Sequence, residues 1–574
     1  MKNRKQISGT AGTIFLILCS LFITTSCSDF LDRELQGSPT TGNYYQTTYQ
    51  LQEALNGVFN ILQSNNYNNC EWIFGEACGD DVIGNDESGT NQIAQLVNFT
   101  FNTSNTWIRD RYAVNYKGIS AANQVIANIN RVKFADDDIG KYVAVREILG
   151  QAKFLRALFY FNLVKTYGGV PVRPETEDIN QLVIPRSSKE EVYACIEKDL
   201  REAAVALRHP VNTEAGKPGT GAAVALLMKV LGYEAQPGEP SEYWDEIVRL
   251  GEYFIEGKDL SYREILHFDE RYDCSWDELR ESLWFKPKAK LTATDPYEDA
   301  DTKLPVMVNN YNLEAKSLYD GSPLHYRELY NESGEFCARS VFEVVFKESA
   351  NGMSDDLNQG TGIFDDLLFN RLWASSSFRE AIANDPRKNV ITTEHGTVTF
   401  DGERLEVPPG RFGCMKWYTP KMEDPASATT IFSNTLTNDG GKNRRVIIYS
   451  EVVLWYAEAL NETGNGMKAL EQINRIKTVA NKITGASTLY QPNTYVEMRN
   501  QIWTERRVEL CHLWDRFFDL VRQGRAAKVL HDLAPLHTPH LRGKYFVEGV
   551  NEIFPIPQNE IDITNGVVSQ NPGY

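Results

Sequence analysis

The sequence predicts a mainly α fold: a tetratricopeptide-like αα-superhelix with a long loop-rich insertion carrying short strands and helices. Three observations lead there. Helical patterns follow one another with short connections between residues 112 and 256. Periodicity fades from about 260 to 440, where Gly, Asn, Asp and Pro are frequent. Regular helical patterning then returns near 445. One helical scaffold interrupted by an insertion fits this better than a string of independent domains.

The chain opens with a basic stretch, Lys2, Arg4 and Lys5, and an apolar run from Ile14 to Ile23. That run is far shorter than the ~20 residues needed to span a bilayer, so residues 1–26 read as an export signal. Thr24-Thr25-Ser26-Cys27 closes it. A cysteine directly after small residues at this point looks like a lipobox, which makes Cys27 the lipidated first residue of the mature chain. No other segment is apolar over a spanning length, so the protein is expected to be anchored to a membrane without crossing it.

The helices follow in order. Tyr112 to Ile129 is the first predicted helix and Val143 to Tyr167 the second. The second carries two apolar stripes, Ile148, Ala152, Leu155, Phe159 and Leu163 on one face and Phe154, Leu158 and Phe161 on another. A helix apolar on two sides must be covered on two sides. Gly168-Gly169 and Pro171 stop it. Ser188 with Glu191 forms a capping-box start for the next helix, followed by Thr220 to Ala235 and Ser241 to Glu256. After the insertion come Arg445 to Leu460, Gly466 to Ala480 and Asn493 to Arg522. The mature chain thus divides into an N-terminal helical region at 27–260, an insertion at 261–440 and a C-terminal helical region with a closing tail at 441–574.

A net charge of -18 excludes a polyanionic partner such as nucleic acid, which needs clustered Lys and Arg. The nine cysteines show no Cys-x-x-Cys spacing, so they are expected to be small buried hydrophobes. Gly-x-Ser-x-Gly, His-Glu-x-x-His and a phosphate-cradling Gly-rich loop are absent. The most catalytic-looking pattern is Glu505, Glu509 and His512 on one helix, a Glu-x-x-His step of the kind used in di-iron bundles. No second step lies in a comparable helix, and the nearby Arg506, Arg507, Arg516 and Arg522 predict ion pairing instead. The acidic runs Asp136-Asp137-Asp138 and Asp355-Asp356 match no EF-hand and read as solvated loops. No catalytic residue, metal site or cofactor is predicted.

Several segments resemble one family. They are Lys153-Phe154-Leu155-Arg156-Ala157-Leu158-Phe159-Tyr160-Phe161-Asn162-Leu163 with Tyr167-Gly168-Gly169-Val170-Pro171, Val446 to Leu460, Ala469 to Asn474 and Asp385-Pro386-Arg387. Near the C-terminus, Glu505-Arg506-Arg507-Val508-Glu509-Leu510, Arg516 to Arg522, Phe554-Pro555-Ile556-Pro557 and Gln570-Asn571-Pro572-Gly573-Tyr574 complete the set. Their shared order behind a lipobox resembles the SusD/RagB family. One departure stands out: Leu513-Trp514 occupies the place where the family usually has Glu-Gly. The acidic start Ser28-Asp29-Phe30-Leu31-Asp32 is similar to those of lipoproteins exported to the cell surface.

The resemblance implies a surface-exposed outer-membrane lipoprotein that partners a SusC-like, TonB-dependent transporter. It implies non-catalytic capture of oligosaccharides, or in some relatives of peptides; a surface glycosidase is the remaining alternative. Sugar capture needs aromatic rings for stacking and Asp, Asn or Arg for the hydroxyls. Asp80, Asp81 and Asn85 form one candidate loop, in a region where relatives place ligand contacts, and Trp107 with Arg109 a second. In the insertion Trp284, Tyr297, Tyr311, Tyr319 and Trp373 are the candidate platforms.

Overall fold

The computed structural model describes residues 44–84, 91–134, 138–176, 182–207, 209, 216–283, 300–318, 321–326, 328–330, 334–346, 372–394, 410–414, 416, 443–533 and 543–574. Cys27, Asn85, Trp284, Tyr297 and Tyr319, with the acidic positions 136–137 and 355–356, lie outside the described residues.

Three helices precede those expected from periodicity: α1 (Thr48–Gln63), α2 (Asn65–Trp72) and α3 (Gln92–Asn98). The first buries Leu51, Leu55, Val58 and Leu62 along one stripe and starts on a capping box between Thr47 and Gln50. The expected series then appears as α4 (Thr106–Asn128), α5 (Ile139–Tyr167), α6 (Lys189–Ala206), α7 (Thr220–Glu234) and α8 (Glu242–Glu256). At 29 residues α5 is long enough to act as a central strut of roughly 40 Å. Its two stripes are both buried, because α1 and α4 cover one side and α6 the other. Gly168, at φ +72°, closes it in a conformation that costs a β-carbon-bearing residue energy.

After the insertion come α9 (Tyr449–Glu462), α10 (Gly466–Asn481), α11 (Tyr495–Glu509), α12 (Arg516–Arg522) and, in the tail, α13 (Gln558–Ile563). α9 packs on α8 and α7, so the helical stack continues across the insertion as though it were absent. Glycines permit that closure. A Cβ on Gly232 would overlap the Trp455 ring, and one on Gly251 the Tyr456 ring. This contact makes a single scaffold of the two helical regions.

Two boundaries differ from expectation. Arg444–Ile448 is a strand, and the helix starts only at Tyr449; Val446, Ile447 and Ile448 are β-branched and suit an extended chain. The long segment from Asn493 to Arg522 is two helices, broken where His512 and Trp514 take positive φ angles of 61° and 72°. Within the insertion the described elements are short, as the turn-rich composition predicts. The strands are β1 (Val82–Gly84), β2 (Ser340–Val344), β3 (Leu372–Ala374), β4 (Thr392–Glu394), β5 (Phe412–Cys414) and β6 (Arg444–Ile448). They form a four-stranded antiparallel sheet in the order β1-β3-β5-β4 and a β2-β6 ribbon. No described helix is long and apolar enough to cross a membrane.

Candidate functional site

The sheet fastens the insertion to the scaffold at the predicted Asp80-Asp81 loop. A π-helical turn, Ile73–Ala77, ends α2 and delivers these residues to β1. β1 pairs with β3, setting Ile83 opposite Trp373. Ser375 donates its backbone N–H to the Asp81 carbonyl (2.8 Å) and its hydroxyl to the Asp80 carbonyl (2.5 Å). Gly75 and Gly79 leave room for the turn after α11, since a Cβ on either would run into Trp514 or Arg516.

The two carboxylates face inward. Asp80 accepts from Arg516 Nε (2.7 Å) and Arg507 Nη2 (2.8 Å), and Asp81 from Arg507 Nε (2.7 Å). Asp80 is 6% and Asp81 0% exposed, so neither presents an acceptor to a ligand. Burial alone would raise Asp80, but the Arg507 and Arg516 charges outweigh it and hold its carboxyl well below the usual range. Burial raises Asp81, against the same arginines, and raises the sealed Glu76 carboxyl beside it further. Acids pushed apart in this way can be an acid/base pair, but these aspartates are buried and engaged by Arg507 and Arg516. The loop is a clamp, which corrects the expectation that its aspartates contact ligand.

A second cluster sits beneath it. Arg387 of the Asp385-Pro386-Arg387 motif is fully buried and bridges Asp385 (2.8 Å), Glu505 (2.6 Å) and Glu509 (2.8 Å). Arg339 pairs with Glu509, and Tyr326 and Tyr490 donate hydroxyls to Glu509 and Glu505. The Glu505–Glu509 constellation is therefore ion-paired, as its surroundings predict. Its partners are insertion arginines, while Arg506 pairs with Asp519 and Glu451, and Arg522 with Glu458. Sequence reasoning missed Arg339 and Arg387 as partners because more than a hundred residues separate them from α11. Among the described residues no group of three or more His, Cys, Asp or Glu is arranged to hold a metal.

The Leu513-Trp514 departure acquires a structural description here. Trp514 stands in a left-handed conformation that a glycine would adopt freely. Its backbone N–H donates to the Glu76 carboxylate (3.3 Å), and the Arg444 guanidinium lies 5.2 Å from its ring centre. The indole packs where glycine would leave a gap.

The remaining predicted residues divide. Tyr311 is buried and stacks on Phe254 and Tyr449 (5.1 and 6.1 Å), so it is a core residue and not an exposed platform. Trp373 is 2% exposed, with Arg411 4.8 Å over its ring, and is likewise no open platform. Both are apolar bodies absorbed by packing, the ordinary fate of large aromatics. Trp107 lies inside the first turn of α4, half-buried, and Arg109 is exposed and paired with Asp110 at 2.8 Å. Two residues apart on a helix, they are turned roughly 200° from each other and cannot form one subsite. Among described residues the predicted set thus leaves Trp107 and Arg109 in reach of solvent.

A cavity of about 830 Å³ opens between residues 312–314 of the insertion and α10, with Asn312, Glu314, Lys468, Glu471 and Arg475 on its walls. It offers hydrogen-bonding groups but no aromatic ring.

Comparison with known proteins gives two family matches. The SusD family model matches residues 415–574, and the model described as starch-binding, associating with outer membrane, matches residues 29–231. SusD-like protein P2 of Formosa agariphila is 22% identical, over 98% of this chain and 99% of its own. A laminarin-binding SusD-like protein of known structure superposes with a TM-score of 0.64 at 21% identity, covering 92% of this chain and 100% of its own. A SusD homolog from Bacteroides thetaiotaomicron superposes with a TM-score of 0.67 at 18% identity, covering 93% and 98%. With family matches at both ends, a full-length relative and a shared helical scaffold, the chain belongs to the SusD/RagB family.

Proposed function

We propose that this protein is a non-catalytic, surface-exposed glycan-binding lipoprotein, anchored through Cys27, that delivers oligosaccharide to a SusC-like TonB-dependent outer-membrane transporter. The observation that carries the reading is the division of labour in the fold. Arg387 ties the insertion directly to α11, while Arg507 and Arg516 fix the Asp80-Asp81 loop to which Ser375 of the insertion is bonded, so the insertion rests on the helical stack. The carboxylates that resemble catalytic groups are consumed in those ties, which favours binding over hydrolysis. The starch-binding description of the N-terminal family match and the laminarin-binding relative support a glycan as ligand. Residues 261–440 would carry specificity through Trp284, Tyr297 and Tyr319 as stacking rings, with Trp107 as a further ring and Arg109 and Asn85 as hydrogen-bonding groups from the N-terminal region.

Titration calorimetry of the chain truncated after Cys27, against oligosaccharide and peptide panels with chromatography for breakdown products, tests this. Saturable heat with a glycan that remains intact is the expected result. Heat with peptides alone would redirect the reading to an oligopeptide-binding protein, and released products would make it a glycosidase. Co-purification with a TonB-dependent barrel encoded alongside tests the delivery step.

A further inference from the structure

A second cavity, of about 430 Å³, lies far from the insertion sheet in sequence terms and is built wholly from the scaffold and tail. Its volume is within the range of small-ligand sites. The last turns of α5 and α7, together with α12, converge on it, and the first turn of α6 and residues 552–553 complete its wall. The three helix C-termini carry partial negative charge and favour cations, against the single positive N-terminal end of α6.

The side chains add to that field. Glu234 and Glu552 line the cavity, and neither makes a salt bridge among the described residues, while one oxygen of each is buried without a hydrogen-bond partner. The Tyr233 hydroxyl is likewise buried without one. The cationic residues of the lining are largely committed elsewhere. Lys165 is held by Asp515 at 3.1 Å, and Arg522 by Glu458 at 2.7 Å and Asp519 at 3.2 Å. Lys189, at the start of α6, lies 5.7 Å over the Tyr193 ring. Behind Glu234, Glu197 already takes both Arg201 (2.7 Å) and Arg271 (2.6 Å), so these guanidiniums are shared with another acid. The Tyr243 hydroxyl of α8, near the Glu234 carboxyl, acts to lower its pKa. The cavity is left with two acids facing one uncommitted lysine.

We propose that this cavity binds the primary ammonium group of a small organic cation, with Glu234 and Glu552 as its counter-ions and the phenol rings of Tyr193 and Tyr233 as its apolar walls. Ring faces and carboxylates together select an alkylammonium over a bare inorganic ion, which gains nothing from an apolar wall. Burial, followed by the charge of Glu197, pushes the Glu234 carboxyl up to about 8, so it is largely protonated at neutral pH with the cavity empty. An arriving cation favours the carboxylate and expels that proton.

The test is calorimetry of the full chain at pH 7.5 with 1,4-diaminobutane, in two buffers of different ionisation heat. Potassium chloride and glycerol serve as comparison probes. Saturable binding of the diamine with release of most of a proton is expected. E234Q should lower affinity about tenfold or more and abolish proton release, whereas E552Q should weaken binding and retain it. Because Glu234 is already largely neutral at this pH, E234Q preserves the folded state, which an unchanged far-UV spectrum verifies. No saturable heat at up to about 10 mM diamine, equal binding of potassium, or an unaltered E234Q would each overturn the proposal.

Discussion

Replacing Arg387 by alanine isolates the tie between insertion and scaffold. The side chain is fully buried and neutralises three carboxylates at once. Without it Glu509 keeps Arg339 and the Tyr326 hydroxyl, and Asp385 keeps Lys477 at 2.6 Å. Glu505 keeps only the Tyr490 hydroxyl and becomes a buried charge without a cation. Breaking one partner out of a buried pair costs about 3–5 kcal/mol. The unfolding entropy of a 574-residue chain is on the order of 1 kcal/mol/K, so melting should fall by roughly 3–5 °C if the chain unfolds as one, and by more if a smaller unit melts alone. Scanning calorimetry of R387A, E505Q and the double variant closes a thermodynamic cycle, with an expected coupling of about 2–3 kcal/mol. R109A, which breaks an exposed pair, should cost under about 1 kcal/mol. A melting shift for R387A no larger than that of R109A, or a coupling near zero, would refute the reasoning.

Four further outcomes are expected. Glu202 is buried, which would raise its carboxyl, but Lys153 and Lys198 bring it down to about 2. Its contribution is therefore present above pH ~4.5, lost as pH falls toward ~2, and on the order of 3 kcal/mol, so E202Q should flatten the acid limb of a pH–stability curve. Glu234 has the opposite sign: its stabilising protonated form gives way as pH rises toward about 8, so E234Q should gain stability over the parent at pH 8 and match it near pH 4.5, read from denaturant midpoints. G251A forces a methyl into the Tyr456 ring at the α8–α9 contact and should cost about 1–3 kcal/mol in the same assay. If Trp107 is a stacking platform, W107A should weaken glycan binding by about 0.5–1.5 kcal/mol, or roughly two- to tenfold, as read by titration calorimetry.

The scaffold was legible because its signals are local. The two stripes of α5, the Ser188–Glu191 box and the Gly168 stop each lie within a few turns of sequence, and each is realised. The site was legible only in part. Asp80 and Asp81 resemble ligand acceptors until Arg507 and Arg516, more than four hundred residues away, are brought against them. Tyr311 and Trp373 have the composition of platforms, but exposure depends on what packs above them, and no periodicity in a turn-rich segment reports that. The strand at Arg444–Ile448 was hidden for a related reason: its partner β2 lies a hundred residues upstream.

The contact between α8 and α9 has a consequence for how such a protein can change over evolutionary time. The ends of the insertion are held side by side by the stack, so lengthening the chain between them alters only the entropy of a loop whose closure is already enforced. That entropy grows logarithmically, by about 0.6 kcal/mol for each doubling in length. A family member could acquire or discard whole hairpins between Glu256 and Tyr449 at less thermodynamic cost than a single added methyl at Gly251. Novelty is cheap in the insertion and dear in the seam that holds it.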